Sequence, residues 1–236
     1  KDIFCNIDYV FHLAARSRIQ PTINSPNECF EVNVVGTQRV LEWSRLSGAK
    51  KLVYSSTSSL YGSQNSTPFN PNMPADCLNP YSMSKWMGEQ ICKLYYQLYD
   101  FKSISLRYFN VYGPREPLKG AYAPVVGLFK RQERDNSPIT VVGNGHQKRD
   151  FTYIDDVVNA NICAIDSNID YGVYNIGTGK SYRIIDIASA VRKKSEIVHI
   201  PYRPAEVFEN LSYINKTIAY LNWNPKYDIL EMIDKY

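Results

Sequence analysis

Asn79-Pro80-Tyr81-Ser82-Met83-Ser84-Lys85, following soon after Leu52-Val53-Tyr54-Ser55-Ser56-Thr57, decides how this chain is read. Asn79 has the side chain of a helix N-cap, and Pro80 suits the first helical position, where a missing N–H costs nothing. Tyr81 and Lys85 then fall one turn apart on one face of the helix, a phenol beside an ammonium. A cation so placed favours phenolate over phenol and lowers the tyrosine pKa toward neutrality, which a general base acting on an alcohol requires. Thr57 follows an apolar strand, at the end where an α/β sheet presents its active site, so its hydroxyl can hold a substrate hydroxyl in line with that base. The same Tyr-x-x-x-Lys spacing also arises by chance on a surface helix in a chain with 19 tyrosines.

Outward from this pair, apolar strands alternate with amphipathic helices. Ile7 to Ala15 is an apolar run without polar alternation, as in a strand buried on both faces of a parallel sheet, and small residues at its carboxyl end would let a flat ligand approach the backbone. His12 within it reads as a strand-end histidine satisfied by backbone, since no second metal ligand is spaced near it. Pro26 starts a helix running to about Leu46; Asn33 inside it is either a hydrogen-bonding side chain or an ordinary exposed one. Lys51 to Ser55 is a strand, residues 63–79 a long Ser-, Asn- and Pro-rich loop, Pro80 to Tyr99 a helix and Ile104 to Phe109 another buried strand. This order is the signature of a doubly wound, Rossmann-like parallel α/β sheet. After Gly113-Pro114 the pattern changes. Helices are predicted from Val125 to Glu133, from Val157 to Ala164 with Asp155 or Asp156 as cap, and from Ile184 to Val191, with short strands at Ile139 to Val142 and Tyr174 to Ile176. Gly177-Thr178-Gly179 lacks the third glycine of a dinucleotide loop and the Lys-Ser/Thr of a P-loop, so it reads as a plain turn. We place the sheet domain at 1–113, with 150–178 crossing back to it, and a smaller C-terminal substrate-binding lobe at 114–149 and 179–236.

Composition sets the bounds. The chain has 236 residues, 44% apolar and 21% charged, which describes a globular protein. Its net charge of +4 is spread without basic runs, so neither nucleic acid nor anionic lipid is implied as a partner. The five cysteines are far apart, with no C-x-x-C pair and no metal-ligand spacing, which points to reduced thiols and a cytoplasmic setting. No stretch approaches the roughly 18 apolar residues of a membrane span, and the three N-x-S/T triplets read as chance.

Taken together, His12-Leu13-Ala14-Ala15, Asn33-x-x-Gly36-Thr37, Ser55-Ser56-Thr57, Tyr61-Gly62, Tyr81-x-x-x-Lys85, Arg107-Tyr108-Phe109-Asn110-Val111-Tyr112-Gly113-Pro114 and Arg149-Asp150-Phe151 resemble the extended short-chain dehydrogenase/reductase family, and within it the UDP-glucose and UDP-N-acetylhexosamine 4-epimerases. The resemblance implies NAD as cofactor, a UDP-sugar as substrate, a place in carbohydrate metabolism and a homodimer through a four-helix bundle built by the helices of Asn33 to Leu46 and Tyr81 to Tyr99. By motif, Tyr81 would be the catalytic base, Lys85 its pKa-lowering and ribose-binding neighbour, and Thr57 the hydroxyl that positions the sugar. Leu13, Ala14, Ala15, Arg16, Ser17, Asn33 and Phe109 would line the cofactor, with Thr57, Tyr81 and Lys85. Asn110, Arg149, Arg203 and Glu206 would grip the nucleotide diphosphate and its ribose, where arginine suits a diphosphate through its planar bidentate donors.

Two departures from the family pattern matter. Related 4,6-dehydratases and many decarboxylases carry an acidic residue two positions after the Thr or Ser, whereas Thr57 is followed by Ser58-Ser59, which favours epimerase over dehydratase. UDP-glucuronate 4-epimerases also share Arg149 to Asp156, so a uronic acid substrate stays open, and so does a non-catalytic role that keeps only UDP-sugar binding. Second, the family begins with a glycine-rich strand-turn-helix that seats the NAD pyrophosphate, on the order of 60 residues that residues 1–236 do not contain. The expectation is an N-terminally truncated sheet with the strand at Tyr9 to Leu13 on its edge, and weak NAD binding by this chain alone.

Overall fold

In the computed structural model, which describes residues 2–117, 124–202 and 207–236, β1 (Tyr9–His12) leads to α1 (Ile19–Asn24), α2 (Pro26–Phe30), a turn of π-helix at Glu31–Val35 and α3 (Gly36–Leu46). Next come β2 (Lys51–Thr57), α4 (Pro80–Tyr99), β3 (Ser103–Tyr108), β4 (Val111–Tyr112), α5 (Val125–Arg134), β5 (Ile139–Val142), β6 (Lys148–Arg149) and β7 (Thr152–Tyr153). The chain continues through α6 (Ile154–Asp166), β8 (Tyr171–Ile176), β9 (Tyr182–Arg183), α7 (Ile184–Val191), β10 (Ile197–Ile200), β11 (Glu209–Asn210), α8 (Asn215–Leu221) and α9 (Ile229–Met232).

The main sheet has the order β1-β2-β3-β8, all parallel. Helices cover both of its faces, as the doubly wound reading predicts. On one, Leu52 and Tyr54 pack with Leu41, Cys92, Tyr95 and Phe101 under α3 and α4. On the other, Val53, Ile104 and Leu106 pack with Val157, Ala160 and Ala164 of α6. Each such fully buried aliphatic side chain contributes about 1.5–3 kcal/mol, which is why the central strands are continuously apolar or small. Among the described residues β1 pairs only with β2 and lies at the sheet edge, as expected for this strand; burial on both faces is not found, since Tyr9 and Phe11 stay exposed while His12 is buried. His12 Nε2 meets Thr37 Oγ1 at 2.9 Å rather than backbone, and burial lowers its pKa to about 4, so the ring is neutral at physiological pH.

The helix expected from Pro26 to Leu46 is present and continuous, with one turn of π-helix at Glu31–Val35 and Asn33 at its centre. One local expectation is corrected. Neither Asp155 nor Asp156 caps α6, which starts earlier, with Tyr153 at its N-cap. Asp156 instead accepts the backbone N–H groups of Lys226 at 3.0 Å and Tyr227 at 3.2 Å, tying the C-terminal segment to the first turn of α6.

A second core gathers Tyr112, Val126, Phe129, Ile139, Val141, Phe151, Ile187 and Ile233 around α5, α7 and the parallel pair β5-β10. Between it and the sheet, the fully buried carboxylate of Asp150 accepts five hydrogen bonds: from Thr178 N (2.8 Å) and Oγ1 (2.7 Å), Gly179 N (3.1 Å), and Ser212 N (3.1 Å) and Oγ (2.5 Å). The Gly177-Thr178-Gly179 loop therefore spends the N–H groups of Thr178 and Gly179 on an internal carboxylate, which fits the plain-turn reading. Asp150→Ala strands the buried Ser212 donors and removes the acceptor of the half-buried Thr178, and we expect a loss of about 3–5 kcal/mol in urea unfolding. A loss below about 1 kcal/mol would contradict this view of the seam.

Candidate active site

α4 begins with a complete capping box. Ser82 N donates to Asn79 Oδ1 at 2.9 Å, Asn79 N donates to Ser82 Oγ at 3.3 Å, and Pro80 occupies the first turn. Further along, Glu89 and Arg107 of β3 form a buried bidentate ion pair at 2.9 and 2.7 Å. Arg107 also donates to the Tyr61 hydroxyl at 2.9 Å and to the Pro71 carbonyl at 3.1 Å, so its charge is paired and its donors are used. Gly88 permits the close approach of helix and strand, because a Cβ there would sit 2.2 Å from the Tyr54 hydroxyl. These contacts fix the rotation of α4 over β2 and so aim Tyr81 and Lys85.

Thr57 is the last residue of β2, and its hydroxyl accepts Ser59 N–H at 3.1 Å, capping the short turn that follows. Tyr81 is brought near it: interaction with the Thr57 hydroxyl pulls the Tyr81 pKa down. The expected lowering by Lys85 is not found. Burial is the largest effect and pushes the Tyr81 hydroxyl above its ordinary value, with Thr57 and the Arg18 guanidinium acting the other way. Lys85 is turned elsewhere; its ammonium donates to the Ser55 carbonyl at 2.7 Å and lies 4.9 Å from the centre of the Tyr54 ring. Lys85 is 3% exposed, and burial lowers its pKa to about 8.

The loop after β1 is held by the π-turn. Asn33, almost wholly buried, accepts Arg16 N–H at 2.7 Å and donates to Arg16 O at 3.0 Å and Ser84 Oγ at 2.8 Å. Its hydrogen-bonding alternative is thus the one realised, and it acts on the loop rather than presenting its own amide. The extra residue of a π-turn is what lets it reach both the loop and α4. Leu13, Ala14, Arg16 and Ser17 are exposed and Ala15 half-buried, leaving small side chains and open backbone at the strand's carboxyl end. Phe109 is fully buried among Leu60, Tyr61 and Phe69, so its ring forms packed wall and no open surface.

Across the seam, Asn110 adopts a positive φ of 26° and donates to Asp150 O at 2.7 Å and to Asn210 Oδ1 at 2.9 Å. Arg149 Nη1 donates to Lys148 O at 2.8 Å and Phe208 O at 3.5 Å. Arg203 and Glu206 lie outside the described residues. Sequence reasoning did not pick out Arg18, Ser84 or the Glu89–Arg107 pair. A lone arginine inside an apolar strand was the available signal for the last, because such a charge needs a buried partner; nothing marked Arg18.

The sequence profile of the NAD dependent epimerase/dehydratase family matches residues 2–177. The chain belongs to this family, whose cofactor is NAD. Among individual proteins, it is 34% identical to a UDP-glucuronate 4-epimerase of Thermodesulfobacterium geofontis, over 96% of this chain and 70% of that one. It is 32% identical to a UDP-glucose 4-epimerase of Mycolicibacterium smegmatis, over 97% of this chain and 74% of the relative. In structure it matches the UDP-N-acetylglucosamine 4-epimerase of Methanobrevibacter ruminantium M1, solved with UDP-N-acetylmuramic acid, with a TM-score of 0.94 at 26% identity, covering 98% of this chain and 76% of that one.

Lys85 generates a stability prediction. Its pKa is about 8 in the fold and 10.5 in the open chain, so between these values the unfolded state holds more protons and stability rises with pH. The burial penalty is full below pH 8 and fades toward pH 10.5. Relative to Lys85→Met, the wild type should gain about 2–3 kcal/mol in chemical denaturation between pH 7 and pH 10. A pH-independent difference would contradict the burial of the charge.

Proposed function

We propose that the protein catalyses NAD-dependent inversion at C4 of a UDP-hexose. The observation that carries this reading is the meeting of the Thr57 hydroxyl with Tyr81 at the carboxyl end of β2, with Lys85 one turn further along α4. Tyr81, in its phenolate form, takes the proton of the sugar 4-hydroxyl, a form that the Arg18 guanidinium favours and that the positive charge of bound NAD would favour further, and Thr57 holds that hydroxyl in line. The residues present suit the nicotinamide-ribose half of NAD: among the described residues Lys85 has one protein acceptor, Ser55 O, for its three N–H groups, and the loop from Leu13 to Ser17 offers open backbone steadied by Asn33. NAD, when bound, supplies the hydride acceptor and donor at C4, so the reaction ends with no net oxidation. Asn110 and Arg149, with Arg203 and Glu206, keep the nucleotide anchored while the 4-keto sugar turns. Residues 114–149 and 179–236 form the lobe that grips it. Ser58 and Ser59 offer no carboxylate after Thr57, which supports epimerisation over elimination.

A second reading, a UDP-hexuronate as the substrate, is favoured by the 34% identity to a UDP-glucuronate 4-epimerase. The protein works as a homodimer through α3 and α4, supported by the exposed Trp43, Leu46, Met83, Met87, Leu94 and Leu98 on those helices. A cytoplasmic setting is supported by five free cysteines, and among the described residues no helix is long and apolar enough to cross a membrane.

The test is NMR detection of the C4-inverted product from UDP-glucose, UDP-N-acetylglucosamine or UDP-glucuronate with added NAD, using protein expressed from its complete reading frame. One of these sugars should give its epimer; recovery of all three with C4 unchanged would contradict the reading. Tyr81→Phe should cost at least about 100-fold in turnover while the protein still binds UDP.

A further inference from the structure

The loop after β1 is held at both ends by one circuit of hydrogen bonds. Its near end is His12, the last residue of β1. Its far end is Arg16, whose N–H and carbonyl are both taken by the Asn33 amide, at 2.7 and 3.0 Å. What grips Asn33 reaches back to the near end. Thr37 Oγ1 donates to the Asn33 carbonyl at 2.5 Å and lies 2.9 Å from His12 Nε2. A π-turn interrupts the regular helical ladder, and a hydroxyl reaching back four residues holds a carbonyl at the interruption. The circuit from His12 through Thr37 and Asn33 to Arg16 thus leaves only Leu13, Ala14 and Ala15 between two anchors. It is also tied to α4. Asn33 Nδ2 donates to Ser84 Oγ at 2.8 Å, and Ser84 Oγ donates to the Tyr81 carbonyl at 2.8 Å.

The direction of the bond at His12 follows from counting protons. A threonine hydroxyl has one hydrogen, and the Asn33 carbonyl takes it, so Thr37 accepts from His12. The imidazole therefore carries its proton on Nε2. Burial, with the Lys85 charge acting in the same sense, keeps the ring neutral at physiological pH, which leaves Nδ1 unprotonated. The ring is also set in place from its face, with its centre 5.8 Å from that of Tyr54, the ring beside which the Lys85 ammonium lies. A ring that only filled space between β1 and α3 would need neither a particular tautomer nor a donor. We propose that His12 is a positioning residue for the cofactor: as an Nε2–H donor it fixes, through Thr37 and Asn33, the backbone of the loop that lines NAD. The inference rests on the reading of this loop as cofactor-lining and adds the group that holds it in shape.

The tautomer is read in the wild-type protein without ligand, from the ring nitrogen-15 shifts of His12, assigned by their loss in His12→Gln. We expect a protonated Nε2 and an unprotonated Nδ1 at pH 7, and a proton on Nδ1 instead would overturn the proposal. Calorimetric titration of protein expressed from its complete reading frame, with NAD and separately with UDP, then tells positioning from packing. His12→Phe keeps a planar ring without the donor and should bind NAD about tenfold more weakly with its affinity for UDP unchanged. His12→Gln, whose amide can set an N–H where Nε2 stands, should recover most of that loss. Thr37→Val breaks the circuit from the other side of the same bond, so it should show the NAD loss even where His12→Phe does not fold, and Thr37→Ser should restore binding. A lowered thermal midpoint with NAD affinity intact would overturn the proposal, since it would leave His12 a packing residue. So would an equal loss in His12→Gln, or a loss shared by UDP. A wild type that binds no NAD would remove the cofactor reading of the loop and this inference with it, a result distinct from any difference between variants.

Discussion

The ion pair between Glu89 and Arg107 is the contact on which the rest of the site depends. Both charges are removed from water, a cost repaid only by good geometry and full use of the remaining donors. Arg107 meets that condition through Glu89, Tyr61 and Pro71 O, and Tyr61 passes the connection on to Asn175 of β8 at 2.6 Å. One network therefore joins α4, β3, β8 and the loop before α4. Because Glu89 is one turn beyond Lys85 and two beyond Tyr81, the pair sets which face of the helix looks at the end of β2. Replacing only one partner would strand the other charge in the core.

A similar economy governs the seam between the sheet and the second core. Asp150 has its carboxylate fully taken up by Thr178, Gly179 and Ser212, while its carbonyl receives Asn110. Asn110 is in turn tied to Asn210. Residues distant in sequence are thus fixed to one another by a buried anion. The loop after β1 is treated the same way on the other side, with the Asn33 amide reading both the N–H and the carbonyl of Arg16. In each place a polar side chain is committed to backbone, and the ligand-facing surface is what remains.

Much of the architecture was legible because it follows from periodicity and caps. The apolar runs gave the parallel strands, and Asn79-Pro80 marked the start of α4. The misses share a cause. Asn33 in a π-turn, Asp156 serving the backbone at Lys226 instead of capping α6, and Asp150 serving three separated segments are long-range satisfactions of buried polar groups, which no local pattern encodes. The direction of the Tyr81 shift was misjudged for a related reason. Spacing put an ammonium one turn away, but the tertiary structure turned that ammonium toward Ser55 O and buried the phenol.

The chain's own groups hold Tyr81 as a phenol beside Thr57, opposed by a nearby arginine, and this balance is the heart of the account. It is read most directly by the ring carbon-13 chemical shift of Tyr81 in protein labelled at tyrosine Cζ, assigned by comparison with Tyr81→Phe and followed with pH in the absence of ligand. The account predicts that the phenol titrates above the ordinary tyrosine range. A phenolate half-formed below about pH 9 would contradict it.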